Sequence, residues 1–140
     1  VETLRSEQKL EGLLQEVMER YRVAPGRVVL LGFSQGGGMT YRCGLGRPEI
    51  FAGLVALGCS IRDPDEMRQR LPAERNQSIF IGHGLQDNIE RARSSRDFLE
   101  AEGYTPDYTE YNMGHEISIE VMNDLGPWIR RVLPPIRRDT

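Results

Sequence analysis

Apolar and polar positions along this chain follow two different rhythms. Leu10, Leu14, Val17, Met18 and Tyr21 recur at helical spacing with Glu, Gln and Arg between them, so the first segment reads as an amphipathic helix. Ser6 is its expected N-cap, and Pro25-Gly26 its expected stop. Val28 to Phe33 is instead an unbroken apolar run, which predicts a strand covered by helices on both faces of a parallel sheet. Gln35 to Leu45 reads as a short helix, and Phe51 to Cys59 as a second buried strand. The polar stretch from Ile61 to Gln77, with Pro64 and Pro72, reads as a loop holding about one helical turn.

Ser78 to Gly82 is the third predicted strand, and Ile89 to Ala101 a helix capped by Gly103. Tyr104 to Tyr111 is a more polar strand carrying Pro106, which places it at a sheet edge. A tight turn at Met113-Gly114-His115 leads to a last amphipathic helix using Ile117, Val121, Leu125, Trp128 and Val132, kinked or divided at Pro127. Strands alternating with helices predict an α/β fold with a mostly parallel sheet flanked by helices.

Composition narrows the function. A chain of 140 residues reads as one domain over 1–140, large enough for a core. The net charge of −3 leaves no basic footprint for a nucleic-acid backbone. No apolar run is long enough for a membrane span, and the charged N-terminus does not read as a signal peptide. Cys43 and Cys59 fall in apolar or Gly-rich stretches and read as buried free thiols, so a reducing compartment, the cytoplasm, is expected. Two histidines and two cysteines, far apart, give no zinc spacing, and no cofactor is expected. The chain starts at Val1 rather than Met, which suggests processing, trimming or excision from something longer.

The chemistry centres on Gly32-Phe33-Ser34-Gln35-Gly36, which fits Gly-x-Ser-x-Gly between a predicted strand and a predicted helix. Such a turn lifts the serine hydroxyl above the sheet, with glycines where Cβ atoms would collide. The N–H of Gln35, next after Ser34, is the expected oxyanion donor. Gly36-Gly37-Gly38 costs helix propensity, about 1 kcal/mol per residue, which points to close packing on the strand. It is not a phosphate loop, because Met39-Thr40 follows it rather than Lys-Ser/Thr. At the carboxyl ends of the strands stand Ser34, then Asp87, then His115. Nucleophile, acid, histidine is the chain order of α/β-hydrolases.

With those residues in place, the chain resembles the phospholipase/carboxylesterase family of α/β-hydrolases, which includes acyl-protein thioesterases and small bacterial carboxylesterases. The likeness rests on Gly32-Phe33-Ser34-Gln35-Gly36-Gly37, on Gly82-His83-Gly84-Leu85-Gln86-Asp87, and on Tyr111-Asn112-Met113-Gly114-His115; Trp128-Ile129 also fits. The resemblance implies a serine hydrolase of carboxylic esters or thioesters with Ser34, Asp87 and His115 as triad. It covers the C-terminal part of the fold. The family's first strands, and the upstream loop that gives a second oxyanion N–H, have no counterpart in this sequence. The strand at Val28 would then have an open edge, filled by an N-terminal segment or by a second copy of the chain.

Competing assignments stay open at this level. Asp63 and Asp65 follow the second strand, where some α/β-hydrolases place their acid. His83, between two glycines, reads as a structural hydrogen-bonding residue. Arg91, Arg93 and Arg96 beside Glu90, Asp97 and Glu100 read as a solvated helix face, and Arg130, Arg131, Arg137 and Arg138 as a solvated basic patch. A peptidase or lactone hydrolase on the same scaffold is the weaker functional alternative.

Overall fold

The computed structural model describes residues 2–135, so Arg137 and Arg138 lie outside the described residues. The elements run α1 (Glu2–Tyr21), β1 (Val28–Phe33), α2 (Gln35–Gly44), β2 (Phe51–Leu57), α3 (Pro64–Gln69), β3 (Ser78–Gly84), α4 (Ile89–Ala101), β4 (Asp107–Tyr111) and α5 (Ile119–Val132). The four strands pair in parallel in the order β1-β2-β3-β4. This is the predicted α/β architecture, with β4 at an edge as its polar sequence required.

Alternation along the strands divides the core in two. Leu54 and Ala56 of β2 and Ile79 and Ile81 of β3 face Tyr41 of α2, Met67 of α3 and Leu99 of α4. Val55, Leu57 and Phe80 point to the other face, against Val121, Leu125 and Trp128 of α5. Gly53 makes that second contact tight, since a Cβ there would press on Trp128 and Val132. The Trp128 ring meets Phe80 edge-on, and its indole N–H donates to Asp107 Oδ2 at 2.8 Å. A buried indole is thereby both packed and satisfied.

Several elements differ from their sequence readings. Ser6 is not an N-cap, because α1 begins earlier and carries Ser6 inside it. That helix also ends before Pro25-Gly26: Arg22 turns left-handed at φ 53°, and Val23 N–H bonds back to Met18 O at 3.0 Å. This is the Schellman closure, formed without the usual glycine. Ile117 precedes α5 instead of belonging to its apolar stripe, and Ser118 caps the helix by accepting from Val121 N–H. α5 remains one helix through Pro127.

The triple glycine is only partly a packing device. A Cβ on Gly37 would strike Cys59, whereas Gly36 and Gly38 face open space. The main correction concerns β1. It pairs only with β2 among the described residues, as the expected open edge requires, but it is not covered on both faces: Leu31 on its α5 side is 46% exposed. α5 packs under β2 and β3 and leaves that position uncovered. No helix among the described residues is long and apolar enough to cross a membrane.

Candidate active site

Ser34 occupies the joint between β1 and α2, with φ 59° and ψ −120°. A β-carbon residue rarely holds such angles, and here both sides of the joint enforce them. On the strand side, Ser34 N–H continues the ladder to Leu57 O at 3.0 Å. On the helix side, its carbonyl accepts from the N–H groups of Gly37 and Gly38 at 3.1 and 3.3 Å. Gly32 lets the turn close, since a Cβ there would collide with the Gly36 carbonyl. Gly36 has no such neighbour. Gln35 is the first residue of α2, so its N–H has no carbonyl one turn back within the helix.

The other two arms arrive from β3 and β4. Leu85 N–H bonds to Tyr111 O at 2.8 Å and Gln86 N–H to Met113 O at 3.1 Å, stitching the loops after these strands together. Gly84 permits the approach, because a Cβ would meet the carbonyls of Met113 and Gly114. His115 Nδ1–H then donates to Asp87 Oδ2 at 2.5 Å, and the Ser34 hydroxyl donates to His115 Nε2 at 3.1 Å. Ser34, His115 and Asp87 form a continuous hydrogen-bonded chain across three strand ends. Asp63 and Asp65 take no part in it. Asp63 caps α3 by accepting from Glu66 N–H, and Asp65 pairs with Arg68 at the surface.

Two contacts that sequence reasoning missed hold the imidazole, and a third residue holds the Asp87 backbone. Phe33 stacks on the His115 ring with centroids 4.6 Å apart and 27° between planes. Gly58, at φ 60°, gives both rings their space: a Cβ there would lie 2.8 Å from Phe33 and 3.2 Å from His115 Cε1 and Nδ1. His83 is 3% exposed, and its Nε2–H donates to the Asp87 backbone carbonyl at 2.5 Å. That is the hydrogen-bonding role its setting suggested. The available signal for Gly58 was a lone glycine after an apolar run, which by itself names no partner.

The chain lies in a cavity of about 200 Å³, and a groove of about 400 Å³ adjoins it through Gln35 and Gly38. Met39, Ile61 and Met67 give that groove apolar patches. Neither cysteine is poised as a nucleophile. Burial pushes Cys43 up to about 11 and Cys59 up to about 12, so both stay thiols near neutral pH.

Residues 2–133 match the phospholipase/carboxylesterase family. The chain belongs to that family. It is 29% identical over 137 residues to acyl-protein thioesterase 1 of Gibberella zeae, covering 93% of this chain and 58% of the relative. Against acyl-protein thioesterase 1 of Emericella nidulans it is 28% identical over 140 residues, again spanning 58% of the relative. Among solved structures, Arabidopsis thaliana SOBER1 superposes with a TM-score of 0.82 at 24% identity, over 94% of this chain and 64% of that one. The Bacillus cereus carboxylesterase gives 0.73 at 18% identity, over 93% and 61%. These structures share the fold. The chain spans about three fifths of the length of these relatives.

Proposed function

We propose that the chain carries the reaction centre of a serine hydrolase acting on carboxylic esters or thioesters. The observation that carries the reading is the hydrogen-bonded run Ser34–His115–Asp87 on an α/β-hydrolase sheet. Neutral His115 takes the Ser34 proton as the hydroxyl attacks the carbonyl. Asp87 keeps the imidazole in the Nδ1–H tautomer and stabilises the imidazolium. The tetrahedral oxyanion bonds to Gln35 N–H, and collapse with proton return from His115 to the leaving group gives an acyl-enzyme on Ser34. Water activated by His115 then releases the acid. The small cavity of about 200 Å³ around Ser34 favours short acyl chains.

A fluorophosphonate probe should add its mass at Ser34, and Ser34→Ala should lower ester turnover by about 10⁴-fold or more. No adduct, together with unchanged turnover in Ser34→Ala, would remove the reading. Assays of p-nitrophenyl esters, acyl thioesters and peptide anilides side by side separate esterase from thioesterase and peptidase. The cytoplasm is the proposed compartment, supported by two buried free thiols; fractionation into an oxidising compartment would contradict it.

One observation favours a second reading, in which the chain is a half-domain completed by an N-terminal segment or a second chain. β1, which carries the nucleophile, presents an edge with Leu31 exposed. Exposed, apolar edges invite pairing. Absence of a second oxyanion donor would also lower turnover by about 10²–10³-fold. Sizing chromatography with activity across the peak decides: a fully active monomer sinks this reading, and activity confined to a dimer or to a reconstituted complex supports it.

A further inference from the structure

Two arginines at the reaction centre have no counter-charge. Arg62 follows β2 at the carboxyl end of the sheet, and Arg91 lies in the first turn of α4. Both line the cavity that holds Ser34 and His115, and both line an adjoining cavity of about 430 Å³ with Ser60 and Ser94. The carboxylates that border these spaces and the groove beside them are engaged elsewhere. Asp87 binds His115, Glu90 pairs with Arg93, Asp63 caps α3, and Glu66 accepts from Arg42. Arg42 and Arg70, on the groove beyond, share Glu7. Among the described residues, neither Arg62 nor Arg91 has an acidic partner.

The position of Arg91 is also electrostatically unfavourable for folding. The first turn of a helix carries partial positive charge and prefers anions, so a cation there works against the macrodipole. An incoming anion reverses that sign, since helix terminus and guanidinium then attract the same group. The hydroxyls of Ser60 and Ser94 add neutral donors to the same wall.

We propose that Arg62 and Arg91 form an anion subsite. It selects esters or thioesters bearing a carboxylate or phosphate a few bonds from the scissile carbonyl. The inference rests on the serine hydrolase reading and names its substrate class. With the carbonyl over Ser34, the charged end of the substrate lies toward Arg62 and Arg91, and the groove along Met39 and Met67 takes the neutral part.

The test compares matched esters. One pair places the charge on the acyl side, mono-p-nitrophenyl adipate against p-nitrophenyl hexanoate. The other places it on the leaving group, 4-acetoxybenzoate against 4-acetoxybenzamide. The expected result is a higher kcat/KM for the anionic member of one pair, which tells the side on which the charge sits. Arg62→Gln or Arg91→Gln should each lower the anionic-to-neutral ratio by about tenfold. Added salt should compress the ratio, and Arg62→Lys should restore part of it, because charge returns without the planar fork. A ratio near one in the unaltered protein, or one that both Gln variants leave in place, overturns the proposal.

Binding to Ser34→Ala protein separates this from failure of the catalytic reading. Calorimetry with both pairs of intact esters should still show tighter binding of the anion in the pair that shows the preference, lost in Arg62→Gln. Equal affinity within both pairs overturns the subsite whatever Ser34 does.

Discussion

The two ends of the sheet are built to different standards. At the β3–β4 end, Phe80, Tyr111, Val121, Leu125 and Trp128 close a core against α5, and the loops bearing Asp87 and His115 are tied to each other through backbone. At the β1 end, Leu31 is 46% exposed and α1 shows Leu13, Val17 and Tyr21 to solvent at 58, 39 and 69%. The proposed reaction centre straddles this difference. Asp87 and His115, the proposed acid and base, stand on the finished end, while Ser34, the proposed nucleophile, stands on the strand with the open edge. Precision at Ser34 therefore depends on local geometry: the strained turn, the missing Cβ of Gly32 and the Phe33–His115 stack.

Truncating side chains at the two ends gives the largest contrast. Trp128→Ala removes a side chain 2% exposed, together with its bond to Asp107, and should cost about 3–5 kcal/mol in urea unfolding. Leu31→Thr suits an exposed strand position and should cost about 0.5 kcal/mol or less. The comparison breaks if Leu31→Thr destabilises as much as Trp128→Ala. That outcome means the β1 face is covered in solution, and the protein concentration dependence of unfolding would then show a partner copy.

The next largest effect should come from the joint between the ends, at Gly58. Gly58→Ala forces a Cβ toward Phe33 and His115 at φ 60°. The left-handed angle costs about 1–2 kcal/mol of stability, but displacement of the imidazole should cost more in function. A fall in ester turnover of about 10²-fold is expected, at a temperature where circular dichroism shows the variant folded. Loss of stability with full turnover would show that His115 does not depend on the Gly58 gap.

What was legible in the sequence follows from how local each cause is. Strands fully buried by helices announce themselves as apolar runs, so β2 and β3 were plain, and Pro106 put β4 at an edge. Ser34, Asp87 and His115 could be read as candidates because each follows a strand, and strand ends share one side of a parallel sheet. The exposure of Leu31 was not legible. Its run of Val28 to Phe33 is as apolar as a covered strand, and only the reach of α5 decides which face is left bare. Ser6 looked like a cap because residue type alone does not say where a helix starts. Phe33 and Gly58 were invisible as imidazole supports, since their contacts to His115 join positions far apart in the chain. Arg91 likewise read as part of a solvated helix face, and Arg62 drew no reading, until the partners of their acidic neighbours were known.

The smallest effect separates the two ends by pH. On the finished end, Glu110 of β4 accepts from Arg93 of α4 at 2.7 and 3.0 Å and from the Tyr108 hydroxyl at 2.7 Å. Its bonds to Arg93 first, and then to Tyr108, hold its carboxyl down to about 2. A carboxylate lowered in the folded state stabilises fully above its ordinary value of 4.5 and loses that contribution as pH falls through about 2. Glu110→Gln should therefore lower the melting temperature near neutral pH by about 4 °C or less, as suits a partly exposed pair. The gap between variant and parent should then close between about pH 4.5 and pH 2. A gap that persists unchanged at pH 2 would mean that the Arg93–Glu110 clamp stabilises through packing rather than charge. The finished end would then owe its order to the α5 core alone.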